Sequence, residues 1–314
     1  MIKKQLNNLQ IIQFFLLQSS QTKAIILNIL SIVLFSIMVI FIRKASENIH
    51  VLEVVFFRNL LAFIVMLPLL KSTGLAAIKM NNTSLFFMRG FVGAIGMIAG
   101  FTCLTLIPLA QATAISFSQP LFITIGATIF LGEIIKARRI AAIIVGIIGM
   151  LIIVQPDFIS FSFGIMLAII SALALSVNAL IVKKLTITDT PQTIIMWMVI
   201  MLIPITFIPA ISVWQWPSFE TWLYLWGIAI LGTLAHFSFT KSYTMAEITS
   251  LEPIGFIKLP IIALLGWMIF EEIPGTWTWV GGLIIFISTI YISQREAKAS
   301  NSLKPNEGIQ EPKL

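Results

Sequence analysis

Residues 84–131 read SLFFMRGFVGAIGMIAGFTCLTLIPLAQATAISFSQPLFITIGATIFL, an unbroken apolar stretch whose only Asp, Glu, Lys or Arg is Arg89. One helix of that length would run about 72 Å, more than twice the roughly 30 Å of hydrocarbon in a bilayer. Pro108 resolves the difficulty, because it cannot donate to a helix and drives the residue before it into extended backbone. The stretch therefore predicts two membrane-crossing helices, 84–107 and 109–131, joined by a tight turn at Ile107-Pro108. Working outward, further apolar runs fall near 24–42, 52–70, 140–154, 162–182, 191–210, 220–243, 246–270 and 275–293. The fold class expected is an all-α membrane protein of ten transmembrane helices. The run at 140–154 is short for a span and is expected to extend into Arg138 and Arg139, whose long side chains can snorkel toward headgroups.

Composition agrees. The 314 residues are 58% hydrophobic and 11% charged, with mean hydropathy +1.01, whereas a soluble domain carries about 25% charged residues. The net charge of +7 does not point to nucleic acid, because the charges sit in short loops between apolar runs and form no solvated basic face. A single cysteine, Cys103, excludes an internal disulfide, and two histidines without clustered carboxylates offer no metal-ligand set, so no cofactor is expected.

Residues 1–23 open with Lys3 and Lys4, as a signal peptide would, but Gln10 and Gln13 interrupt the apolar stretch and no cleavage site is evident. This leader reads either as an amphipathic helix, with Ile2, Leu6, Leu9, Ile12 and Leu16 on one face, or as a frayed segment. With the N-terminus inside, fourteen of the 20 Lys and Arg fall on the inner side, four within spans, and only Arg43 and Lys44 outside. That bias places both termini in the cytoplasm. Residues 294–314 are expected to form a disordered cytoplasmic tail. Trp214, Trp216, Trp222, Trp277 and Trp279 gather near the outer interface, as belt residues do.

The chain repeats itself. Phe101-Thr102 before Leu109-Ala110-Gln111-Ala112-Thr113 resembles Phe239-Thr240 before Met245-Ala246-Glu247-Ile248-Thr249, and Phe130-Leu131-Gly132-Glu133 resembles Ile269-Phe270-Glu271-Glu272. A five-span repeat is odd-numbered, so its second copy enters from the opposite side, giving two inverted halves, 24–154 and 162–293. That is an architecture of alternating access.

These residues, with Phe56-Phe57-Arg58, Met88-Arg89-Gly90, Ser118-Gln119-Pro120-Leu121-Phe122 and Leu251-Glu252-Pro253, resemble drug/metabolite transporters of the EamA type across about residues 24–293. The resemblance implies that the third, fourth, eighth and ninth spans line a central cavity. One departure is that Pro260 precedes Glu272 by one position fewer than Pro120 precedes Glu133. Within the family, Leu52-Glu53-Val54-Val55-Phe56-Phe57-Arg58 and Met268-Ile269-Phe270-Glu271-Glu272-Ile273-Pro274 are similar to S-adenosylmethionine uptake carriers.

Lys258 is placed mid-span, about three helical turns from either end of its run, too deep to snorkel. A cation there pairs within the bundle or binds something. Glu252 and His236 lie at similar depth in adjacent spans and either share a proton or a cationic ligand, or else pair with Lys241 and a backbone carbonyl respectively. Gln119 and Ser116, beside Pro120, supply neutral donors and acceptors for a polar ligand or for helix association. Arg58 and Arg89, each a turn or two inside its span, read as snorkelling interface residues or gates; Glu133 and Glu272 end equivalent spans as gates or interfacial pairs. The function expected is a secondary carrier of a small polar metabolite in a bacterial inner membrane, not an enzyme, with S-adenosylmethionine uptake as the specific reading. The alternatives are an exporter of amino acids or drugs and, in another class, a channel or non-transporting scaffold.

Overall fold

The computed structural model describes residues 19–73, 80–131, 137–154, 162–185, 187–189, 191–243, 245, 251, 254–255 and 257–302. All regular structure among them is helical: α1 (Ser20–Ala45), α2 (Val51–Thr73), α3 (Thr83–Leu106), α4 (Leu109–Ser116), α5 (Gln119–Leu131), α6 (Ala137–Val154), α7 (Phe163–Leu185), α8 (Pro191–Ile211), α9 (Phe219–Tyr243), α10 (Lys258–Phe270) and α11 (Thr276–Ser302). α4 and α5 share one apolar stretch, Leu109–Phe130, so the helices correspond to the ten apolar runs of the sequence. Five stretches, Ser20–Ala45, Thr83–Leu106, Leu109–Phe130, Phe163–Leu185 and Phe219–Ser242, are long and apolar enough to cross a membrane by themselves.

Local chemistry sets the boundaries. Ile107 is extended (φ −131°, ψ 160°) before Pro108, and the chain turns there between α3 and α4. Ser19 caps α1 by accepting the Thr22 N–H at 3.2 Å, so residues 20–23, expected in the leader, belong to the first span. The rest of the leader, residues 1–18, lies outside the described residues. α6 begins at Ala137 and takes in Arg138 and Arg139. α11 runs to Ser302, past the point where the tail is expected to start; residues 303–314 lie outside the described residues.

The bundle is apolar on its outside. Ile140, Ile144, Val145, Ile148 and Leu151 make one exposed stripe along α6, which suits contact with lipid. The interior uses small residues for close approach. Ser171 on α7 donates to the Gly96 carbonyl on α3 at 2.8 Å, and Gly149 on α6 meets Gly281 on α11 backbone to backbone.

The packing has an internal exchange. α1 lies along α9 and α3 along α7, while α2 pairs with α8, α4 with α10 and α6 with α11. Substituting for each helix the one five spans away returns the same pairs. Residues follow: the Ser288 hydroxyl donates to the Ala142 carbonyl, and the repeat-equivalent positions of these two are Gly149 and Gly281, which also meet between α6 and α11. Links near the helix ends join segments that ten alternating spans would bring to one face. Glu53 Oε2 accepts from the Gln215 N–H at 3.1 Å, Asn81 Nδ2 donates to the Thr188 carbonyl at 2.6 Å, and Ser20 Oγ donates to the Met245 carbonyl at 3.0 Å.

Candidate functional site

The fourth span changes pitch at its middle. Pro120 has no N–H for the Ser116 carbonyl, and its ring crowds that carbonyl. The chain tightens just before it, with Phe117 N–H bonding Ala114 O at 3.2 Å and Ser118 N–H bonding Ile115 O at 3.0 Å. Hydroxyls along the span turn back onto their own helix: Thr113 to Leu109 O, Ser116 to Thr113 O and Ser118 to Ile115 O. Ser116 thus satisfies the span's own backbone. Gln119, half-buried at the start of α5, accepts the Ser176 hydroxyl on its carbonyl at 3.0 Å, which ties the break to α7.

The ninth span has a matching feature. Ile257 N–H bonds Ile254 O at 3.0 Å, a tight turn, and α10 starts at Lys258. α5 and α10 are equal in length, and the spacing between their first residues, Gln119 and Lys258, is the spacing that relates Glu133 to Glu272. Lys258 therefore heads a helix within the ninth apolar run. Pro120 and Pro260 both sit in the first turn of their helices, where a proline is tolerated, so the one-position shift of the proline leaves the helix start in register. Lys258 is half-buried. Glu252 and Glu133 lie outside the described residues.

Arg58 is 6% exposed and points into the bundle instead of back to the nearer end of α2. Its Nη1 donates to Asn59 Oδ1 at 2.9 Å, and Asn59 is held by the Val55 carbonyl at 3.0 Å and by Met97 Sδ on α3 at 3.4 Å. A Cβ at Gly232 would lie 4.0 Å from Arg58 Nη2 and 2.9 Å from Met38 Sδ, so the lack of a side chain lets α9 approach Met38 and the guanidinium closely. His236 follows one turn along α9, exposed, within the electrostatic reach of Arg58, its ring edge-on to Phe35 of α1 at 4.9 Å between centroids. The structure thus brings Arg58 against the Gly232 face of α9, one turn from His236, where α1, α2, α3 and α9 meet.

Arg89, also 6% exposed, donates through Nη1 to the Ile194 carbonyl and approaches Met198 Sδ at 3.4 Å through Nη2, tying α3 to α8. Both guanidiniums are thus buried against protein groups. Glu272 collects three elements: it ion-pairs with Arg43 at the end of α1, and its Oε2 accepts the Leu109 N–H at 2.9 Å at the start of α4. Arg43 and Lys44 lie 4.8 and 5.1 Å from the centre of the Phe270 ring. A crevice lined by Pro108, Ala110, Ile262, Ala263, Gly266 and Pro274 lies at this carboxylate. Sequence reasoning missed Arg43, Asn59 and Met97. Arg43 had a signal, being one of two outer cations on the side where Glu272 ends its span; Asn59 and Met97 had none.

The model of the EamA-like transporter family matches the chain twice, over residues 22–155 and 162–294. The chain is 31% identical over 243 residues to a riboflavin transporter of Vibrio cholerae, covering 76% of this chain and 82% of the relative. It is 28% identical over 274 residues to an S-adenosylmethionine uptake transporter of Rickettsia prowazekii, covering 87% and 93%. A pseudopaline exporter of Pseudomonas aeruginosa is 24% identical over 277 residues, covering 86% and 95%. One solved structure superposes with a TM-score of 0.60 over 89% of this chain and 99% of its own at 14% identity, a likeness of fold.

Proposed function

The chain belongs to the EamA-like transporter family, and from that premise we propose that it takes up a polar metabolite of nucleoside-like size, S-adenosylmethionine first, by alternating access. Being a multi-pass membrane transporter and not an enzyme accords with its relatives. The proposal adds a mechanism, a substrate and an orientation.

The observation that carries it is the matched pair of helix starts, Gln119 and Lys258, within the fourth and ninth spans. Interrupted spans at corresponding positions of two repeats are where carriers of this architecture hold their solutes, because backbone and side-chain polar groups released there need a partner. The exchange symmetry of the packing supports two inverted halves, 24–154 and 162–293, rocking about that point. In this reading Lys258, Gln119 and His236 contact substrate with Glu252 and Ser116, while Glu272 and Glu133 close opposite faces and Arg89 holds an interface. The membrane is a bacterial inner membrane with both termini cytoplasmic. Exchange or facilitated uptake suffices, because one deep carboxylate, Glu252, moves one proton at most. Uptake that collapses with the proton gradient alone and fails in Glu252→Gln would reverse that choice.

Riboflavin is the second reading, favoured by relatives at 31% and 32% identity. Cells expressing the chain should show saturable uptake of labelled S-adenosylmethionine, competed by S-adenosylhomocysteine more strongly than by methionine, adenosine or riboflavin. Uptake of riboflavin in its place transfers the reading to the flavin. No saturable uptake of either, with the protein in the membrane, overturns both substrates.

A further inference from the structure

Arg58 presents an unbalanced charge. Its guanidinium sits among α1, α2, α3 and α9 with Asn59 as its side-chain hydrogen-bond partner, and no acidic residue among the described residues pairs with it. Among the described residues Arg43 pairs with Glu272 and Lys44 with Glu47, both in other parts of the bundle. A charge withdrawn from water and from lipid headgroups needs a counter-charge. Asn59 is fixed from two sides and holds Nη1, Nη2 lies beside Gly232 of α9, and His236, exposed, follows one turn along the same side of α9 with its ring against Phe35.

We infer that Arg58 is the anion-binding residue of the transport site: it takes the carboxylate or phosphate of the solute, with Asn59 as a positioning residue and His236 as a second contact. This rests on the carrier reading and narrows it. An arginine presents five donors in a planar fork, which matches the two or three oxygens of either anion. The solute then carries an anionic group beside its ring system, as S-adenosylmethionine does through its carboxylate and riboflavin does not.

The test uses purified full-length protein in detergent, reading thermal stabilisation, and in proteoliposomes, reading counterflow. Two ligand pairs differ by the anion alone: S-adenosylmethionine against its decarboxylated form, and riboflavin 5′-phosphate against riboflavin. Wild-type protein should respond to one anionic member at about tenfold lower concentration than to its partner, the effect of a charge-assisted hydrogen bond. The pair that responds distinguishes carboxylate from phosphate. Arg58→Gln should respond equally to both members, and Arg58→Lys should keep part of the preference. Arg58→Gln, which removes a buried charge, is checked by its own melting transition.

Wild type without preference in either pair, or Arg58→Gln with wild-type preference, overturns the inference. So does recovery of the preference in Arg58→Gln/Glu252→Gln, which would make Glu252 the counter-charge. Transport of riboflavin without preference for its phosphate removes the anion and leaves the carrier standing. A folded protein that neither binds nor carries any of the four overturns the inference together with the substrate reading.

Discussion

Glu271 ends α10 in the left-handed conformation, φ 57° and ψ 23°, and its side chain is exposed. A residue with a Cβ gives up about 1 kcal/mol or more to adopt that backbone, which glycine adopts freely. Gly132 occupies the corresponding position in the sequence of the first repeat. Glu271→Gly should therefore stabilise the protein by about 1 kcal/mol, read as a higher melting temperature in detergent, and Glu271→Val should lower it. A lower melting temperature for the glycine variant would mean that the Glu271 side chain makes a contact worth more than the strain. Lys258 needs a different readout. Lys258→Met keeps the length and removes the charge, so it should abolish or redirect transport in a protein that inserts and melts normally. Wild-type kinetics in that variant would assign Lys258 to structure alone. Gln119 and Lys258 are visible in the sequence as polar residues in apolar runs. Their correspondence is obscured there because Pro260 is shifted by one position, and prolines are the markers by which the halves align.

Between elements, α6 and α11 cross backbone to backbone. A Cβ at Gly281 would come within 2.4 Å of the Gly149 carbonyl oxygen and 2.5 Å of an Ile153 side-chain carbon. The first of these is backbone and cannot rotate away, so Gly281→Ala should cost about 1–3 kcal/mol and reduce the melting temperature. Gly275→Ala, whose Cβ meets nothing within 4 Å, is the control and should be neutral. Equal melting of the two variants would show that the helices slide apart without penalty. The helices themselves were legible because each needs only its own apolar run and its own punctuation, as with Pro108 between α3 and α4. Which helix lies against which was not, since α6 and α11 touch through glycines from opposite halves of the chain, and a glycine reads the same whether it marks a contact, a turn or nothing.

For the whole molecule, the charge bias makes a prediction about the membrane. A reporter fused after Ser46 or Pro217 should read external, and one after Ala137, Lys184 or Ala299 cytoplasmic. An external reading after Lys184 would break the ten-span order and the inverted arrangement proposed from it. The sequence by itself determined that the chain lives in a bilayer, which apolar runs become helices, and where most of those helices start and stop, because hydrophobicity, proline and charge act locally along the chain. Only the tertiary structure decided what the charges inside the bundle do. Arg58 and Arg89 both look able to snorkel when read along one helix, yet the Arg58 guanidinium lies against Asn59 and beside Gly232 of α9, in the other half of the chain, and Arg89 reaches the Ile194 carbonyl on α8. A long side chain's direction is chosen by the neighbours that satisfy its donors, and those neighbours come from helices whose adjacency no local pattern encodes.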